Sequence, residues 1–150
     1  LRSLGMNKQV DDFILTVNRA AEEAAKQSAP IFIDAVKGMT ITDGINILRG
    51  ADTAATGFLR QKTSAQLQSR FTPVVHSATQ KVDVTRYWNP LITTYNKIPF
   101  VTKLNPDLDA YITQRALQGL FYLVAQEEIK IRKEPSARVT ALLQKVFGSK

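Results

Sequence analysis

At 150 residues, 44% of them hydrophobic and 22% charged, the chain is long enough for one domain with a buried core and too short to argue for two. It has no cysteine, which excludes disulfides, thiolate zinc sites and cysteine nucleophiles, and no apolar run of the roughly eighteen residues that a transmembrane helix needs. The net charge of +7 gathers near the C-terminus, where residues 130–150 hold Lys130, Arg132, Lys133, Arg138, Lys145 and Lys150 against Glu134.

The chain opens LRSLGMNKQV, with no initiator methionine and no charged-then-apolar leader, so it reads as a processed or truncated piece. Over 7–27, Val10, Phe13, Ile14, Val17, Ala21, Ala24 and Ala25 recur on one side of an amphipathic helix with Asn7 as its cap. The alanine-rich second half of that helix suits close approach to a neighbour. Ser28 and Pro30 restart the chain as a short helix through Lys37, with Ile31, Phe32, Ala35 and Val36 inward and Gly38 just past its end. Thr40 and Asp43 have the spacing of a capping box for a third helix over 41–49, closed by Gly50.

Asp52 is placed to cap a fourth helix, TAATGFLRQK, in which an interior Gly57 points to tight packing against another backbone. A fifth starts at Thr63 or Ser64, carries Leu67, Phe71, Val74, Val75 and Ala78, and should kink or break near Phe71 because Pro73 follows. Asp83 then caps VTRYWNPLITTYNK, and Asn96 to Leu104 form the one long irregular stretch. The best-delimited element is a long helix over about 106–133. Asn105 caps it, Pro106 opens it, and Lys130, Arg132 and Lys133 crowd its last turn before Pro135 ends it. At 1.5 Å per residue it spans roughly 40 Å. A terminal helix from Pro135 or Ser136 carries Val139, Leu142, Leu143, Val146 and Phe147, and stops at Gly148. No segment alternates long enough to be a strand. The expected fold is all-α, a single compact domain of seven or eight short helices around the long one.

Chemistry-bearing residues are sparse. The single histidine, His76, rules out multi-histidine metal sites and reads as structural. There is no nucleophile elbow, phosphate loop or dinucleotide fingerprint, so no catalytic residue, cofactor or metal is assigned. Spacing from Leu120, Val124 and Ile131 puts Glu127 on the inward face of the long helix, where a carboxylate must find a partner. Arg60 and Arg19 are the candidates, either as a structural ion pair or as a polar pocket for an anion; Glu128 is expected to pair outward with Arg132. Tyr87, Trp88 and Tyr95 form a candidate aromatic groove, although the spacing of Trp88, Leu91 and Tyr95 equally suits core packing. The basic C-terminal region offers phosphates or anionic headgroups a surface, but no RNA- or zinc-finger motif accompanies it, which argues against nucleic acid.

The ordered motifs VNRAAEEAA, PIF, MTITDGINIL, TAATGFLR, YITQRALQGLF, EEIKIR and LLQKVFG resemble an uncharacterised bacterial family, domain of unknown function 4197, over essentially the whole chain. The resemblance implies an all-helical protein of the bacterial cell envelope, periplasmic, whose members usually begin with an export or lipoprotein leader and an extra N-terminal segment. The family has no assigned site residues. The expectation is therefore a non-enzymatic binding or scaffolding domain for a protein or anionic ligand. The alternatives are an enzyme of unrecognised type around Arg19, Arg60 and Glu127, or anionic membrane or nucleic-acid association through residues 130–150.

Overall fold

The computed structural model describes residues 7–82 and 85–148, and every regular element among them is helical. In chain order these are α1 (Asn7–Lys26), α2 (Ser28–Lys37), α3 (Ile41–Arg49), α4 (Ala54–Thr79), α5 (Thr85–Tyr95), α6 (Leu108–Lys133), a 3-10 turn (Pro135–Ala137) and α7 (Ala141–Phe147). The chain divides into two compact units, Leu1–Ile31 with Ala65–Leu117 and Phe32–Ser64 with Gln118–Lys150. The two 26-residue helices, α4 and α6, each contribute one segment to both units.

The local signals explain most boundaries. Thr40 and Asp43 make the capping box at α3: the Asp43 amide donates to Thr40 Oγ1 at 3.1 Å and the Thr40 amide to Asp43 Oδ2 at 3.0 Å. Bonding to the Thr40 hydroxyl and amide also holds the Asp43 carboxyl below its ordinary pKa. Thr140 caps α7, so that helix starts at Ala141, past the expected start at Pro135 or Ser136. For α6 the cap is Asp107, which accepts from the Ala110 amide at 3.0 Å, while Asn105 accepts from Asp107 in a preceding turn. The expected Asn105 cap is thus two residues early. The expected Asp83 cap lies outside the described residues.

Helix α4 corrects two further expectations. It is one helix, unbroken at Thr63 and Ser64 and continuing through Pro73. Thr63, Ser64 and Thr72 bond back to the carbonyls of Leu59, Arg60 and Gln68, which satisfies their hydroxyls without ending the helix. A side chain at Gly57 would meet nothing within 4 Å, so no backbone packs tightly there. Thr63, Leu67, Phe71, Val75 and Thr79 recur at every fourth position, and each is buried. Such an i,i+4 ridge is the surface that seats in the grooves of a crossing helix.

The first unit has an apolar core. Val75, Leu108 and Ile112 form a buried cluster against which Phe13, Val17, Trp88 and Tyr111 pack. Ala20 and Ala24 are buried on α1, in keeping with its alanine-rich half. Nine of the buried apolar residues (Ala20, Ala24, Ile31, Leu67, Phe71, Val75, Ile92, Leu108 and Ile112) belong to this unit, while among the described residues the second unit has only Phe121. In the second unit Phe121 meets Phe32 with ring centroids 6.0 Å apart. Val36, expected inward, is exposed there, as are Ile41, Ile45 and Leu48 along one side of α3.

Candidate functional site

The second unit is joined by charge. Helix α4 starts at Ala54, so its first amides have no partner within the helix and carry the positive end of its dipole. Glu128, four-fifths of the way along α6, fills that need from another element. Its carboxylate accepts from the Ala55 amide at 2.9 Å, the Thr56 amide at 2.8 Å and the Thr56 hydroxyl at 2.8 Å. Arg132, one turn on, donates to the same carboxylate through Nε at 3.0 Å and Nη2 at 2.8 Å. Both side chains are deeply buried, 9% and 7% exposed. Burial alone would raise the Glu128 pKa; the two amides, the Thr56 hydroxyl and Arg132 together outweigh it and hold the carboxyl below its ordinary value.

Arg132 also donates from Nη2 to the Ile47 carbonyl at 2.8 Å, meeting the negative end of α3. Its guanidinium carbon lies 5.5 Å from the centre of the Phe147 ring. One side chain therefore ties α3, α6 and α7. Arg138, in the segment after the 3-10 turn, donates to the carbonyls of Ile131 and Arg132, both at 2.9 Å, and so satisfies the open end of α6.

These groups enclose an open cleft of about 430 Å³, lined by Arg132, Lys133, Arg138, Asp52 and Phe147 among others. Gly50 forms part of its wall, where a Cβ would fall 2.6 Å from the Asn46 carbonyl and 2.7 Å from the Ala54 side chain, so only glycine fits. Lys133 reaches Asp52 at 2.6 Å, with both side chains more than half exposed. Asp52, expected to cap α4, faces a cation across the cleft, and it is Glu128 that takes the Ala55 and Thr56 amides. Three cations surround the space: two are held in place by backbone carbonyls and the third sits in an exposed ion pair that solvent screens. An anion entering the cleft would meet fixed guanidinium charge and could take over Lys133 from Asp52.

The sequence-predicted residues fall elsewhere. Glu127 is not inward: its side chain is 65% exposed and pairs with Lys130 at 2.7 Å. That bond raises the Lys130 pKa. The buried acid is Glu128, whose pairing with Arg132 was expected, but outward. Arg60 is exposed and stacks 5.1 Å from the Phe121 ring centre. Arg19 lines an open groove of about 620 Å³ in the first unit, with Glu23, Pro73 and Lys81.

The aromatic trio does not form one groove either. Trp88 packs on Tyr111 at 5.0 Å and donates to the Asn105 carbonyl at 3.2 Å; Tyr87 is exposed with Arg86 over its ring; Tyr95 is half-buried. The first unit has its own polar join. Asp109, in the first turn of α6, meets His76 Nδ1 and the Thr79 hydroxyl at the end of α4, each at 2.5 Å. Gln80 Nε2 approaches the other ring nitrogen of His76 at 2.8 Å, so both ring nitrogens have partners. His76 therefore links the end of α4 to the first turn of α6 through Asp109. Among the described residues no group of three or more acidic or histidine side chains is arranged to hold a metal ion, and no helix is long and apolar enough to cross a membrane.

Fold and cleft define an all-helical domain with a fixed cationic hollow at the end of its last long helix. The model of the family described as "Protein of unknown function (DUF4197)" matches residues 1–148, and the chain belongs to that family. No curated protein and no solved structure matches it.

Proposed function

We propose that this chain is a non-enzymatic binding domain of the bacterial cell envelope, and that the cleft of its second unit receives an anionic group, a phosphate or a carboxylate. The observation that carries the reading is the arrangement of Arg132, Lys133 and Arg138 around one open space, with both arginines held by backbone carbonyls. Preorganised guanidinium groups bind oxyanions with little further loss of side-chain freedom, which flexible surface lysines do not achieve. The wall contributes charge, an aromatic face and glycine, which suits holding a ligand better than transforming one. Placement in the periplasm or envelope is supported by the motifs that resemble the bacterial family. An enzymatic centre built on Arg19, Arg60 and Glu127 has less in its favour, since Glu127 pairs with Lys130 and Arg60 stacks on Phe121.

The test is titration of the folded chain with inorganic phosphate, followed by amide and guanidinium NMR shifts. Saturable shifts at Arg132, Lys133 and Arg138 are expected. Lys133→Ala should weaken binding several-fold, roughly the loss of one charge-assisted contact, and Asp52→Asn should strengthen it. Shifts that never saturate, or affinity unchanged in both variants, would sink the reading.

A further inference from the structure

One surface feature of the first unit has no part in the core or in the polar joins, and its geometry is unusual for an ordinary loop. Residues 97–103, KIPFVTK, link α5 to the start of α6. The base of the loop is closed by one side chain: Asn96 Nδ2 donates to the Leu104 carbonyl at 2.7 Å, and the Leu104 amide donates back to Asn96 Oδ1 at 2.9 Å. The paired bonds imitate a rung of a β-ladder and hold the two ends together. Within this bracket the chain turns outward through Pro99 to Phe100, where φ is 63°.

That angle lies in the left-handed region, which a bulky side chain enters only against steric resistance. Phe100 is the one non-glycine residue with positive φ among those described. The resistance is not repaid by packing, because its ring is fully exposed; Ile98 beside it is half-exposed and Pro99 is exposed. A strained backbone that delivers a phenylalanine to open solvent is a feature of a contact surface rather than of a fold. The apolar tip is flanked on both sides by exposed lysines, Lys97 and Lys103.

We propose that this loop is a membrane-contact element, which buries Ile98, Pro99 and Phe100 among the acyl chains of an anionic bilayer while Lys97 and Lys103 remain at the headgroups. Size and charge decide for a lipid surface over a protein. A phenylalanine buries about 150–250 Å², so a three-residue tip falls well short of the roughly 800 Å² per partner of a stable protein interface. A bilayer needs no matching pocket: it accepts a small apolar wedge and rewards adjacent cations by attraction to its surface charge. The lysines flank the wedge, so apolar insertion and electrostatic attraction act in the same place. The bracket adds preorganisation, since the tip is already extended before contact. This inference is independent of the anion cleft, which lies in the other unit.

The test uses the full chain in co-sedimentation with vesicles of phosphatidylcholine alone and of phosphatidylcholine mixed with phosphatidylglycerol. Binding to the mixed vesicles and not to the neutral ones is expected, and Phe100→Ser should lower the partition coefficient on the order of tenfold. Each of Lys97→Gln and Lys103→Gln should lower it about five-fold. Phe100→Gly separates binding from folding: glycine occupies this φ freely, so the melting temperature should hold or rise while vesicle binding falls as in the serine variant. A wild-type chain that stays in the supernatant with anionic vesicles overturns the proposal. So does Phe100→Ser binding like wild type, which would assign the association to basic surface elsewhere. Self-association in the absence of lipid that Phe100→Ser abolishes would make the tip a protein contact, and that too overturns it.

Discussion

The two units of this chain are stabilised by different chemistry. The first closes around aliphatic and aromatic side chains, Leu67, Phe71, Val75, Leu108 and Ile112, with the Asp109–His76–Thr79 join at its edge. The second buries Phe121 and otherwise depends on Glu128, Arg132 and Arg138, which satisfy the ends of three helices. Apolar burial is non-directional and tolerates repacking, whereas a buried carboxylate–guanidinium pair acts only while every partner is present. Beside this buried pair lies an open cleft, where Lys133 and Asp52 are exposed.

The comparison is tested most severely by deleting the centre of each unit. Glu128→Ala strands the Ala55 and Thr56 amides and leaves Arg132 buried without its counter-charge, so denaturant unfolding should register a loss of about 3–5 kcal/mol. Phe71→Ala in the first unit should produce a loss of similar size, about 3–5 kcal/mol, through a cavity instead of a stranded charge. Hydrogen exchange distinguishes the two, with the Glu128 variant opening first at the start of α4.

Acidification is the next discriminator. The folded Glu128 carboxyl titrates below its unfolded value, so its contribution is complete above the unfolded pKa, about 4.3, and disappears as pH falls through the lower folded value. The stability gap between wild type and Glu128→Gln should therefore be constant near neutrality and shrink below about pH 4. A gap that widened on acidification would reverse the assignment.

Smaller effects sharpen the picture. Asp109→Asn keeps the shape of the join but weakens its bonds to His76 and Thr79, so about 1–2 kcal/mol should be lost. Glu127→Ala, one residue from the centre of the second unit, should change stability by less than about 0.5 kcal/mol, because its bond to Lys130 is a solvent-exposed pair. That single-residue contrast between Glu127 and Glu128 within α6 is the sharpest of these.

The same contrast marks where the sequence is legible. Caps and stops reveal α1, α2 and α3 almost to the residue, because Thr40, Asp43 and Gly50 act on neighbours a few positions away. All-helical architecture likewise follows from periodicity alone. The apolar steps Leu120, Val124 and Ile131 include Glu127 rather than Glu128, but α6 is shared between the two units and each buries its own side of the helix. Leu108 and Ile112 are buried within the first unit, whereas Phe121, Glu128 and Arg132, nearly opposite them around the helix at about 100° per residue, are buried within the second. The i,i+4 pair of Glu128 and Arg132 is visible in the sequence; its burial depends on Ala55, Thr56 and Ile47, more than 70 residues away in the chain.

For the cleft, the sequence located the basic stretch and the end of the long helix but not Asp52, Gly50 or Phe147 beside it. At Thr63, Ser64 and Pro73, local breaking signals pointed to two helices where there is one, since hydroxyl back-bonding and a buried i,i+4 ridge outweigh them.

The Asn96 bracket has a bearing on how this protein can change over time. The ends of the loop are joined by one amide side chain and the backbone of Leu104, and the Lys97 and Ile98 amides donate to the Thr94 and Tyr95 carbonyls at the end of α5. None of these bonds uses a side chain of the exposed tip, so Ile98, Pro99 and Phe100 are a replaceable cassette on a fixed socket. Their sequence can diverge, lengthen or be exchanged for another with little consequence for the helices that carry it, so contact specificity and fold can evolve at separate rates.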